Sequence, residues 1–247
     1  MKLRIENGVL YGDIPTGEWG GNLEHEERLI DLIVPEGVTE IHDNAFFGDP
    51  WIQKVVIPGT VRVIGKEAFA ACSCLKTLII EEGVQRIEAD AFRHCCCIQS
   101  LSLPRLSLTH IGDRAFEDSR FNQITLPETL EYLGAAAFRY NQNLESVTVP
   151  GTVKRIEANA FAHCALETVI LHEGVEEIGE AAFAMCTKLA EISFPSTLRK
   201  IEKNAFDCAV EYVEDGNVWP KFLLPSRDVV IEDEWFKYVA DTFNRYK

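Results

Sequence analysis

Along this chain a six-residue pattern recurs: an apolar residue, two variable ones, an apolar, a variable and an apolar. It reads Leu29, Leu32, Val34 in the first copy and Ile52, Val55, Ile57 in the second, with Leu144, Val147, Val149 and Leu189, Ile192, Phe194 among the later ones. The last three positions alternate, so their two apolar side chains share one face of a short strand. A turn position closes each copy: Pro35, Pro58, Glu81, Pro104, Pro127, Pro150, His172 and Pro195. Proline removes a backbone donor and stops a strand ladder there. A second apolar pair follows the turn, Val38 with Ile41, Val61 with Ile64, Val84 with Ile87, continuing to Leu198 with Ile201. Each copy then reaches the same dipeptide: Ala45-Phe46, Ala68-Phe69, Ala91-Phe92, Ala115-Phe116, Ala137-Phe138, Ala160-Phe161, Ala182-Phe183 and Ala205-Phe206. The Phe lies eleven residues past the turn position, twelve in the single case of Phe116.

The Ala-Phe pairs step along the chain at intervals of 22 to 24 residues. A period in that range marks a repeat solenoid, in which each coil buries its apolar face against its neighbours. The expected fold is mainly β, with one strand per coil, short irregular or helical returns, and a parallel sheet on one face. At a strand spacing of about 4.7–4.9 Å, eight coils make a curved rod about 35–40 Å long. The eight Phe side chains are expected to form one continuous spine.

These residues resemble the BspA-like leucine-rich repeats, first associated with bacterial surface proteins. Their repeat resembles L-x-x-(V/I)-x-(V/I/L)-P-x-x-(V/L)-x-x-I-(G/E)-x-x-A-F. "VVIPGTVRVIGKEAF" from Val55 and "VTVPGTVKRIEANAF" from Val147 match it at nearly every fixed position. The resemblance runs from residue 29 to about 209 in eight copies. It implies a right-handed leucine-rich-repeat rod and a role as adhesin, receptor or interaction scaffold, and it carries no catalytic residues.

Three parts are expected: an N-terminal hairpin cap over 1–28, eight repeats of about 23 residues over 29–209, and a C-terminal cap over 210–247. "LRIENGVLYGD" from Leu3 reads as a hairpin across Asn7-Gly8. At the other end Asp233 starts an amphipathic helix with Trp235, Val239, Phe243 and Tyr246 on one face.

Composition bounds the partners. The chain has 247 residues and a net charge of −15, with 11 acids against 3 bases in residues 1–50. Such a chain repels nucleic acid and anionic membrane surfaces. The sequence has no stretch of transmembrane length. Its start, Met1-Lys-Leu-Arg-Ile, has no signal-peptide apolar run, which points to the cytoplasm, whereas the family resemblance implies the cell surface or secretion.

Cys72, Cys95, Cys164 and Cys186 each fall three residues after a repeat Phe, in a slot also held by Ser119 and Asn141. A small polar group there satisfies backbone, which makes these structural thiols. Cys208 falls one residue short of the slot, and Cys74 and Cys97 make a second column. The alternative is a metal- or thiol-dependent enzyme, with zinc held by Cys72, Cys74, Cys95 and Cys97, or a nucleophile formed by Cys95 or Cys164 with His94 or His163. The Cys-x-Cys spacing fits zinc poorly, and no metalloprotease, nucleophile-elbow or dinucleotide motif is present. No cofactor is expected.

The variable position between the last two apolar strand residues faces outward. It reads Ile33, Val56, Ile79, Ser102, Thr125, Thr148, Ile170 and Ser193. The first three make an apolar stripe beside the acidic N-terminal end, an expected docking surface for a protein or peptide. The other readings are a spacer that self-assembles, with weak oligomerisation through the terminal caps.

Overall fold

The computed structural model describes residues 2–13, 29–207, 224 and 228–232. The chain winds as a β-solenoid. Its outer strands pair in parallel at matched register, Val55 with Leu78 and Leu78 with Leu101, for example. They form a four-stranded sheet of Ile30–Ile33, Ile52–Ile57, Thr77–Ile80 and Ser100–Ser102, then a three-stranded sheet of Ser146–Val149, Thr168–Leu171 and Glu191–Ser193. Burial alternates along Ser146–Val149 as the sequence pattern requires, with Val147 and Val149 inside.

The sheet breaks at the fifth coil, which keeps only a bridge from Gln123 to Ser146. The step from Phe116 to Pro127 in this coil is eleven residues where most are twelve, but the seventh coil is equally short and keeps its strand. What sets the fifth apart is Phe121, which takes a position held elsewhere by Leu or Ile. Its buried ring stands edge-on to Phe116 at 6.3 Å and Phe138 at 6.0 Å.

A second parallel ladder, which the sequence pattern did not announce, runs along the inner arm. It consists of two-residue strands such as Glu40–Ile41, Val63–Ile64, Arg86–Ile87 and His110–Ile111, stacked in register. The N-terminal hairpin, Lys2–Glu6 against Val9–Asp13, joins this ladder by pairing Leu10 with Ile41. Asn7 and Gly8 both have positive φ, 52° and 82°, as a tight two-residue hairpin turn requires.

The returns are turns, and among the described residues there is no helix. The residue before each Ala-Phe pair, and the one two past each Phe from Phe46 to Phe183, sit in the left-handed region, Asn159 at 58° and His163 at 60°, for example. Alternating handedness aims every second N–H along the rod. Asn44, Phe46 and Gly48 donate to Lys66, Ala68 and Ala70 of the next coil, while Ala45, Phe47 and Asp49 donate within their own turn. A helix would direct all of these amides into itself.

The core is one cluster, and the repeat Phe rings stack through it from Phe46 to Phe206. Adjacent centroids lie between 4.9 Å at Phe46–Phe69 and 5.6 Å at Phe138–Phe161, and all eight side chains are fully buried. Residues 14–28 of the expected N-terminal cap, the helix expected from Asp233, and Cys208 lie outside the described residues.

Candidate functional site

The outer-strand face carries the stripe that the sequence singled out. Ile33, Val56, Ile79 and Ser102 are successive partners in the sheet register, and Thr148, Ile170 and Ser193 continue the column on the second sheet. Ile33 is 65% exposed and Ile170 41%, while Val56, Ile79 and Thr148 are half-buried. Ser102 and Thr125 are exposed, but Thr125 lies in the coil without a strand.

A rim borders this column on the upstream side. Backbone hydrogen bonds join Gln53, Lys76 and Gln99 in one run and Asn122, Glu145, Glu167 and Ala190 in another. Between rim and stripe lie Asp31, Lys54 and Thr77 in register, and later Ser146, Thr168 and Glu191. The face therefore turns from apolar and cationic in its first three coils to polar and anionic in its last three. Lys54, Lys76, Glu145, Glu167 and Glu191 have no ion-pair partner among the described residues.

Several charges elsewhere on the rod are paired. Arg114 grips Asp90 through two bonds of 2.8 and 2.9 Å, and Arg93 reaches the buried Glu117 at 2.9 Å. Arg155 contacts Glu157, Glu177 and Glu202 together, and Lys200 joins Glu202 at 3.1 Å. The Arg155 guanidinium, hydrogen-bonded to it, is the largest cause that holds the Glu202 carboxyl down to about 2.

The cysteine column is structural. Cys72, Cys95, Cys164 and Cys186 each donate to the carbonyl of the preceding coil's Phe, at 3.1–3.2 Å. Asn141 fills the slot with two bonds, to the carbonyls of Phe116 and Phe138. Ser119 is too short to do so, and its buried hydroxyl makes no hydrogen bond among the described residues. A hydrogen bond with Cys95, ahead of burial, pushes the Cys72 thiol far up, and burial pushes Cys186 up to about 12. Burial likewise raises Cys164. Nucleophilic and metal-binding chemistry both need the thiolate, and these environments oppose it. His94 points to Asp118 at 3.2 Å and His163 stacks on Tyr140 at 4.5 Å. Among the described residues no three such side chains converge where a metal could sit, and the cysteines are free thiols.

Sequence reasoning missed one display. The turn at Pro104 has an extra residue, and there Leu106 stands 82% exposed. The Glu82 carboxylate fixes this turn by accepting from the amides of Arg105 at 2.6 Å and Leu106 at 3.1 Å, bonds that lower its pKa. The twelve-residue interval before Phe116 was the available signal.

A family model described as the BspA type leucine-rich repeat region matches residues 24–120 and 109–216, in six copies. The chain belongs to this family. A solved leucine-rich repeat protein from Bacteroides ovatus superposes with a TM-score of 0.68 at 23% identity, over 85% of this chain and 64% of that one. The leucine-rich repeat protein TpLRR of T. pallidum is 27% identical over 66% of this chain and 78% of its own, with a TM-score of 0.58. The pneumococcal vaccine antigen PcpA gives 0.50 at 24% identity, over 81% of this chain and 57% of that one. The chain thus spans less than two thirds of the Bacteroides protein and of the pneumococcal antigen. No curated protein matches the sequence. Among the described residues no helix is long and apolar enough to cross a membrane.

Proposed function

We propose that this chain is a non-enzymatic interaction scaffold that docks a protein or peptide on its outer-strand face. The observation that carries the reading is the unbroken register of Ile33, Val56 and Ile79, an apolar column beside Lys54 and Lys76, which have no ion-pair partner among the described residues. Ser102, Thr125 and Thr148 continue the contact as small polar residues over which a backbone approaches closely. Family membership supports a scaffold, and the inward-bonded thiols favour it over a thiol enzyme.

The test is a pull-down from source lysate and surface fractions with wild type beside the Ile33→Glu/Val56→Glu/Ile79→Glu variant. Capture by wild type and loss by the folded variant is the expected result. Equal capture by both would remove the stripe from the binding face. Cytoplasm and cell surface are separated by whether an antibody to the chain labels intact source cells.

A further inference from the structure

The charge pattern of the outer-strand face is complementary to itself when reversed end for end. Read along the rod, the rim runs Gln53, Lys76, Gln99, Asn122, Glu145, Glu167, with the cation toward one end, neutral amides in the middle and anions toward the other. A twofold axis parallel to the strands, passing between the fourth and fifth coils, would face each coil with its mirror in the count: second with seventh, third with sixth. Such an axis keeps the position along the strand, so rim meets rim and stripe meets stripe.

We propose that this face is where two copies of the chain associate antiparallel, with Lys76 against Glu145 of the second copy, Val56 against Ile170, and Ile79 against Thr148. The proposal rests on the outer-strand face being the docking face and names its occupant. Lys54 falls diagonally beside the second copy's Glu167. The residues at the axis, Ser102 and Thr125, are small enough to let the two sheets approach. One pairing opposes the arrangement, Asp31 against Glu191. Asp31 is bonded by Gln53 at 3.1 Å and has Lys54 as its register neighbour, which reduces that repulsion.

The alternative twofold, parallel to the rod, faces each coil with its own counterpart but reverses the position along the strand, so rim no longer meets rim and Lys76 does not meet Glu145. In the favoured arrangement Lys76 and Glu145 gain each other as opposite charges, and Glu167, facing Gln53, has Lys54 diagonally beside it. Four strand residues by eight coils present roughly 13 by 38 Å, so two copies bury about 1,000–1,300 Å² in total, at the small end of specific interfaces. The dimer is therefore expected to be weak and dynamic.

Analytical ultracentrifugation of the full chain, from micromolar to millimolar, reads the association directly. Lys76→Glu and Glu145→Lys each set like charges together at two symmetry-related points and should weaken association roughly tenfold. The combined variant re-pairs them in reversed sense and should restore it, with circular dichroism confirming that all three fold. A chain that stays monomeric throughout overturns the proposal, as does a dimer that none of the variants affects; the latter is the behaviour of association through the terminal hairpin. A monomer that still captures a partner through Ile33, Val56 and Ile79 sinks the self-association alone and leaves the docking face standing.

Discussion

Phe138→Ala is the sharpest test of how the coils hold together. Its ring is fully buried between Phe116 at 5.5 Å and Phe161 at 5.6 Å, with Phe121 edge-on at 6.0 Å. Burial of a Phe side chain contributes roughly 1.5–3 kcal/mol, and each well-placed ring pair adds about 0.5–1.5 kcal/mol. Close-packed coils relax only partly into the space left behind, so the expected cost is about 3–5 kcal/mol. Among the described residues Phe46 stacks on Phe69 alone, at 4.9 Å, so Phe46→Ala should cost less, about 2–3 kcal/mol. Phe47 is the internal control: it is 46% exposed, and its replacement by Ala should stay within about 0.5 kcal/mol. Urea denaturation followed by far-ultraviolet circular dichroism gives all three midpoints. In a one-dimensional array a deep mid-stack lesion should also lower the slope of the transition, because the two halves begin to unfold separately. Equal midpoints for Phe138→Ala and Phe47→Ala would refute the spine as the main source of stability.

Other perturbations read other columns. Glu202 has its pKa lowered in the folded state, so its stabilisation is present above the unfolded value of 4.5 and disappears as pH falls from there toward about 2. Glu202→Gln should cost about 1–2 kcal/mol at neutral pH and almost nothing near the folded pKa, and a cost that does not change with pH would remove the Arg155 contact as its origin. Ser119→Cys should complete the thiol column by reaching the Phe92 carbonyl and raise stability by about 0.5–1.5 kcal/mol; a lowered midpoint would show that the slot does not work as a donor position. A Cβ on Gly151 would overlap the Glu173 carbonyl of the next coil, so Gly151→Ala should cost about 1–3 kcal/mol in the same assay, and a neutral result would show that the coils are free to separate there.

The period of the Ala-Phe pairs was enough to read the solenoid, its inward columns and the stripe, because those positions repeat eight times and errors in one copy are corrected by the rest. The second ladder was not legible. A two-residue strand such as Glu40–Ile41 is too short to show alternation, and it forms because extended segments stacked at the coil spacing find their backbone groups aligned. The left-handed returns were equally hidden. Asn44 and Asn204 tolerate positive φ, but Arg114, Tyr140 and Met185 have no such preference and take it because the cross-coil amides require it. The break at the fifth coil coincides with Phe121, whose difference from Leu a pattern that counts Phe and Leu alike does not register. At the candidate site, sequence placed the stripe but not the unpaired state of its charges, since pairing depends on which side chains the coil step brings within reach.

That last distinction carries the functional argument. The buried positions of this rod answer to neighbours one coil away: each Phe to the next ring, each slot residue to the previous carbonyl, each left-handed amide to the coil above. The cysteines belong to this class, as Asn141 shows by doing the same work with an amide. Only outward positions are free of such demands, and there the eight coils differ from one another. A stack whose contacts are all between neighbours can change one row without disturbing the rest, so a graded surface, apolar and cationic at one end and anionic at the other, costs the fold nothing. Such a gradient has a direction, and it selects an occupant that also has one, whether a second copy reversed or a foreign segment of opposite polarity. Charge reversal at Lys76 and Glu145 distinguishes these two occupants, because only the second copy gives restored binding when both changes sit in a single chain.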